Sequence, residues 1–182
     1  MNTLPEVIEN ETALDDLLTT PSPELVESVR RIPGDVMVLG VGGKMGPTLA
    51  RMAKQAGPGR RVIGVARFSE PGLREKLEAH GIECIAADLL SREALRQLPE
   101  APNIVFMAGR KFGSAGSEWL TWAMNAWLPG LVAERFSRSR IVAFSTACVY
   151  PFVDVHGPGA PEDTPPTPAG EYANSCVARE RL

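Results

Sequence analysis

The run Leu39-Gly40-Val41-Gly42-Gly43-Lys44-Met45-Gly46 sets glycines at 40, 43 and 46, between an apolar stretch and a segment of helical periodicity. Each glycine answers a physical need. One lets the chain turn tightly, one lets backbone without a Cβ approach a phosphate, and one lets a helix N-terminus, with its free N–H groups and dipole, face negative charge. The spacing G-x-x-G-x-x-G predicts a pyrophosphate cradle from Gly40, Gly43, Lys44, Met45 and Gly46. In such a cradle the ribose 2′ position is read at the end of the second strand, about 20 residues past the last glycine, which lands on Ala66-Arg67. An acidic residue there would accept ribose hydroxyls, whereas Arg67 suits a 2′-phosphate through charge-assisted hydrogen bonds. The expectation is NADP in preference to NAD, with Lys44 or Ser69 assisting. The plainer alternative is that Arg67 is a solvated surface arginine.

The elements that must position these residues follow from changes of period along the chain. Short β-rich runs at Val36 to Leu39, Arg61 to Ala66, Glu83 to Ala87, Ile104 to Ala108 and Ile141 to Ser145 alternate with helical stretches. Leu49, Met52, Ala53 and Ala56 keep one helical face and Gly57 closes it; Leu73 and Leu77 repeat the pattern before His80 and Gly81. Ser91 caps a helix carrying Leu95 and Leu98, and Trp119 to Phe136 predict a longer helix kinked at Pro129-Gly130. Its Trp119, Trp122 and Trp127 read as core or helix–helix contact. Alternation of this kind, with right-handed crossovers, predicts a Rossmann α/β fold: a doubly wound parallel sheet with helices on both faces.

Two short helical patterns, Thr12 to Leu18 and Ser22 to Ile32, come first and end at Pro33-Gly34. The expected organisation is a helical N-terminal extension over 1–34 and a nucleotide-binding domain over 35–182. Residues 151–168 hold six of the 16 prolines and no period, which predicts a long loop before a last helix from about Tyr172.

Composition narrows the partners. With 19 basic and 22 acidic residues scattered through both halves, net charge −3, there is no footprint for nucleic acid or an anionic membrane. No apolar run has the length of a membrane span and Met1 to Asp16 is acidic, so a cytoplasmic protein is expected. Cys84, Cys148 and Cys176 form no C-x-x-C pair and read as reduced thiols, with no metal site among them.

These residues resemble the extended short-chain dehydrogenase/reductase family, which contains NAD-dependent sugar-nucleotide epimerases and dehydratases. The glycine spacing is similar to that family's, as is Asp88-Leu89 after the third strand, where the resemblance implies an adenine contact. Phe106-Met107-Ala108-Gly109 resembles the fourth-strand segment beside the cofactor, and Asn125 the family's structural helix asparagine. Phe144 to Tyr150 is similar to the run that carries a catalytic hydroxyl, mapping to Thr146 with Ser145 beside it. Glu162, Pro165 and Pro168 fit the approach to the catalytic helix, Tyr172 the catalytic tyrosine, and Glu180 a glutamate of that helix. What the resemblance implies is proton transfer by Tyr172 on a small carbinol or keto substrate such as a nucleotide sugar, and a homodimer. It also implies further chain past the last helix, so that this sequence stops short of a C-terminal substrate domain.

One departure bears on the chemistry. The family's lysine four residues after the tyrosine is Cys176 here. A phenol titrates near 10, and a cation one turn away lowers that value. A neutral thiol does not. Tyr172 would then depend on the oxidised nicotinamide ring or on a cation such as Arg110 or Lys111 brought near by folding. Two readings stay open: an NAD(P)-dependent oxidoreductase, epimerase or dehydratase, or a non-catalytic NAD(P)-binding sensor or structural protein.

Overall fold

The computed structural model describes residues 5–182. Five parallel strands form one sheet in the order β3-β2-β1-β4-β5: β1 (Val36–Leu39), β2 (Val62–Ala66), β3 (Glu83–Ala86), β4 (Asn103–Phe106) and β5 (Arg140–Ala143). Strand order reverses between β1 and β4, so the turns after these two strands diverge and leave a crevice at their carboxyl ends. β1 shows why the sheet is covered on both faces. Met37 and Leu39 enter one apolar cluster and Val38 the other, as the period of two demands.

Helices fill those faces. α3 (Gly46–Ala56) and α4 (Leu73–Ala79) bring Ala50, Leu73 and Leu77 onto the Val38 side. α5 (Arg92–Gln97) and α7 (Leu128–Arg135) bring Leu95, Leu128, Leu131 and Val132 onto the Met37 side. Ahead of the sheet, α1 (Glu11–Thr19) is capped by Asn10 and α2 (Pro23–Arg31) by Ser22. Both pack on α3, and Arg51 of α3 pairs with Asp15 and Asp16 of α1.

α6 (Glu118–Trp122) runs into a π-helical turn, Ala123–Trp127, and α7 continues through Pro129-Gly130. Proline lacks the N–H for the carbonyl four residues back and its ring crowds that carbonyl. The chain meets this by widening the turn before the proline, with Leu128 N–H bonding Ala123 O. The last helix, α8 (Gly170–Glu180), starts two residues earlier than expected, and residues 151–169 contain neither helix nor strand.

The tryptophans are not core. Trp119 is 70% exposed, Trp122 bonds the Glu171 carboxylate of α8, and Trp127 sits 5.5 Å under the Arg92 guanidinium.

Candidate active site

Gly40 leaves β1 with φ +92°, and a Cβ there would lie 2.6 Å from the Ala108 backbone nitrogen. Because β1 and β4 are neighbours, the bend after one must lie on the segment after the other. Only glycine fits. At Gly46, the first residue of α3, a Cβ would strike the Val41 carbonyl, so this glycine lets the helix close on its own turn. Gly43 is open, with nothing nearer its missing Cβ than Gly40 O at 3.5 Å. No side chain caps α3, and Pro47 in its first turn has no N–H to satisfy. Gly43 N–H is held by Gly40 O, Gly46 N–H by Gly43 O and Leu49 N–H by Met45 O, so among the described residues the backbone N–H groups of Lys44, Met45 and Thr48 are the ones left free at this helix start, which is the fit a dinucleotide pyrophosphate requires.

A cleft of about 530 Å³ opens above this bend. Gly40, Gly43, Arg67, Asp88, Leu89, Ala108 and Gly109 all line it, and so does Ser69. Gly46 lies behind as packing, while Lys44 and Met45 are exposed away from the lining. The cleft has two features that periodicity did not reveal. Phe68 holds φ +50°, rare for a side chain of its size; it packs against the apolar cluster of α4, leaving exposed Arg67 and Ser69 on the cleft. Trp119, Leu120 and Met124 form part of the wall.

The other end of the crevice holds the hydroxyls. Thr146 follows β5, and its Oγ1 accepts the Cys148 N–H at 3.3 Å, capping a short 3₁₀ turn, Ala147–Val149. α8 packs on that turn, bringing the Tyr172 phenol close enough for the Thr146 and Cys176 side chains to act on it. Burial pushes the Tyr172 phenol above its ordinary value; the Thr146 side chain opposes this, and Cys176 and Cys148 add to it. Among the described residues no cation is one of the groups that chiefly shift the phenol. Arg110 donates instead to Gly113 O at 2.5 Å and Ser117 Oγ at 2.9 Å, and Lys111 Nζ lies 5.4 Å from the Phe112 ring. The cation expected from these two residues is therefore not supplied by either. Ser145 also turns away, bonding the Glu180 carboxylate, whereas Thr146 acts on the Tyr172 phenol.

Cys176 is fully buried; burial raises its thiol, against a lowering by Arg179. Burial likewise pushes Cys84 up to about 11, and only Cys148 is exposed. Arg179, passed over in the sequence, anchors this region by donating to Phe144 O at 2.7 Å and Asn125 Oδ1 at 2.9 Å. Its one sequence signal was its place three residues beyond Cys176. Among the described residues no group of three or more His, Cys, Asp or Glu is placed to hold a metal, and no helix is long and apolar enough to cross a membrane.

The reversed strand order, the glycine bend at its switch point and the uncapped α3 above it define a Rossmann-type dinucleotide-binding fold. A model of the NAD dependent epimerase/dehydratase family matches residues 36–182, and the chain belongs to that family. No curated protein is similar enough to count as a relative. Among solved structures, ADP-L-glycero-D-manno-heptose-6-epimerase of Helicobacter pylori is 19% identical with a TM-score of 0.72, over 88% of this chain and 51% of that one. The Bordetella bronchiseptica enzyme WbmG, solved with NAD and UDP, is 18% identical with a TM-score of 0.68, over 82% and 49%. UDP-glucuronic acid 4-epimerase of Bacillus cereus, solved with NAD, is 20% identical with a TM-score of 0.62, over 81% and 50%. The likeness establishes the fold, and this chain spans about half the length of these structures.

Proposed function

We propose that the chain is the NAD(P)-binding part of an oxidoreductase, epimerase or dehydratase acting on a nucleotide sugar or a similar small carbinol or keto substrate. The observation that carries this reading is the cleft above the glycine bend, lined by Arg67 and Asp88 on one side and by Ala108 and Gly109 on the other. In this reading Gly43 and the first-turn amides of α3 take the pyrophosphate, with Lys44 and Met45 on the same bend. Asp88 and Leu89 meet the adenine, and Ala108 and Gly109 line the middle of the dinucleotide. The bound cofactor supplies hydride chemistry; Thr146 orients the substrate oxygen and Tyr172 exchanges its proton. Ser145 serves by holding Glu180. A nucleotide sugar is favoured because WbmG was solved with UDP beside NAD and the other two neighbours are sugar epimerases. The chain as a homodimer, and residues 1–34 as an extension that braces α3, belong to the same reading.

NADP is preferred over NAD in this account because Arg67 and Ser69 meet at the cleft mouth. Glu70, in the same lining, works against a 2′-phosphate. Calorimetric titration checks the choice: NADPH is expected to bind more tightly than NADH, Arg67→Ala to abolish the difference and Glu70→Gln to widen it. Equal or tighter binding of NADH by the unaltered chain would remove Arg67 from this role.

The second reading, a cofactor binder without turnover, is favoured by one observation: the buried Cys176 leaves Tyr172 without a cation. In a weakened enzyme Cys176→Lys raises turnover. In a pure binder it raises nothing.

A further inference from the structure

Asn125 lies fully buried in the π-turn, at the centre of a net joining β4, β5 and α8. Its Oδ1 accepts the Arg110 backbone N–H at 2.8 Å, and its Nδ2 donates to Arg110 O at 2.8 Å and Ser175 Oγ at 3.0 Å. Its backbone carbonyl has lost the helical donor that any residue but proline at 129 would provide. Arg179 Nε supplies a donor there, at 3.2 Å. The guanidinium completes its fork on Asn125 Oδ1 and Phe144 O, and sits 5.7 Å from the Phe106 ring centroid.

Every one of these acceptors is a neutral amide oxygen. Arginine stays charged in proteins, and a half-buried guanidinium ordinarily meets a carboxylate. Glu180, the neighbouring carboxylate in sequence, accepts from Ser145 and makes no bond to Arg179. Among the described residues no carboxylate pairs with Arg179, so its charge is left unneutralised immediately behind the crevice. Its Nη2 lies 3.0 Å from where a Cβ on Gly109 would stand, and Gly109 is part of the cleft lining. With the adenosine half of a dinucleotide over β2 and β3, the β4 and β5 side receives the nicotinamide half.

We propose that Arg179 sets the oxidation-state preference of this site: an uncompensated cation beside the nicotinamide half, it favours the uncharged dihydronicotinamide over the positively charged oxidised ring. The inference rests on the dinucleotide reading above. It also gives the neutral residue at 176 a meaning, since a lysine there would set a second cation one turn from Arg179. Tyr172, protonated at neutral pH, then faces a site that prefers reduced cofactor, the combination suited to reducing a carbonyl.

The test measures dissociation constants of NADPH and NADP (and of NADH and NAD) for the unaltered chain and two variants, by calorimetry. The unaltered chain is expected to bind the reduced form more tightly. Arg179→Gln keeps donors for the amide oxygens but no charge, and should cut the oxidised-to-reduced ratio of dissociation constants by about tenfold, the scale of one unit charge across roughly 10 Å of protein. Arg179→Lys keeps the charge and should keep the ratio. Should Arg179→Gln fail to fold, Cys176→Asp neutralises the guanidinium from one turn away, leaves its fork in place and should lower the ratio similarly. A ratio unmoved by loss or neutralisation of the charge, or lost equally in Arg179→Lys, overturns the proposal and leaves Arg179 as an anchor only. If the unaltered chain binds neither form, the dinucleotide reading itself falls, and this inference with it.

Discussion

Tyr172 is held above its ordinary 10.0 mainly by burial, and no cation among its neighbours offsets this. An acid whose folded value is raised stays protonated through neutral pH, so in the proposed reading Tyr172 donates a proton more readily than it accepts one. Turnover in the reducing direction should therefore hold on the alkaline side up to the ordinary phenol value and fall only above it. Tyr172→Phe should abolish turnover, and Cys176→Lys should draw the alkaline fall toward neutral; a pH–rate profile of full-length protein measures both. Retained activity in Tyr172→Phe would refute the assignment. At this scale Thr146, Tyr172 and the gap at 176 were legible, because their spacing sits in one strand end and one helix turn. The fates of Ser145, Arg110 and Lys111 were not. Each depends on a partner, Glu180, Ser117 or Phe112, whose nearness is settled by how loops and α8 dock rather than by spacing.

At the scale of elements, the bend between β1 and α3 separates two kinds of glycine. A methyl group at 46 meets the Val41 carbonyl, whereas one at 43 enters open space. Gly46→Ala is therefore expected to destabilise the fold by about 1–3 kcal/mol in denaturant unfolding, the usual range for overpacking. Gly43→Ala should leave the unfolding midpoint nearly unchanged yet weaken cofactor binding, since it blocks the approach of a phosphate and nothing else. Strands were legible to within one or two residues because buried parallel strands read as apolar runs. The widened turn before Pro129 was not legible, for a reason that local sequence does not contain. Whether proline kinks a helix or widens a turn depends on what can satisfy the carbonyl it strips, and here the donor, Arg179, lies 54 residues away.

For the molecule as a whole, the fold gathers residues from four strand ends into the cleft, sets Thr146 at the end of the fifth strand, and braces α3 from outside. Arg51 of α3, its side chain only 11% exposed, pairs with Asp15 at 3.5 Å and Asp16 at 2.9 Å, and Gln55 donates to Thr19 at 3.3 Å. α1 thus bears on the helix that presents its free amides to the proposed pyrophosphate. The two helices Glu11–Thr19 and Pro23–Arg31 were legible from capping and periodicity, but not what they pack on, because long-range pairs such as Arg51 with Asp16 leave no periodic trace. The central claim concerns those amides, and amide resonances report on them directly. On addition of NADPH to the ¹⁵N-labelled chain, the largest shifts are expected at the N–H groups of Gly42, Gly43, Lys44, Met45 and Thr48, with a second set at Ala108 and Gly109. Saturation with cofactor that leaves the bend from Gly42 to Thr48 unshifted, with changes confined to other surfaces, would contradict the account.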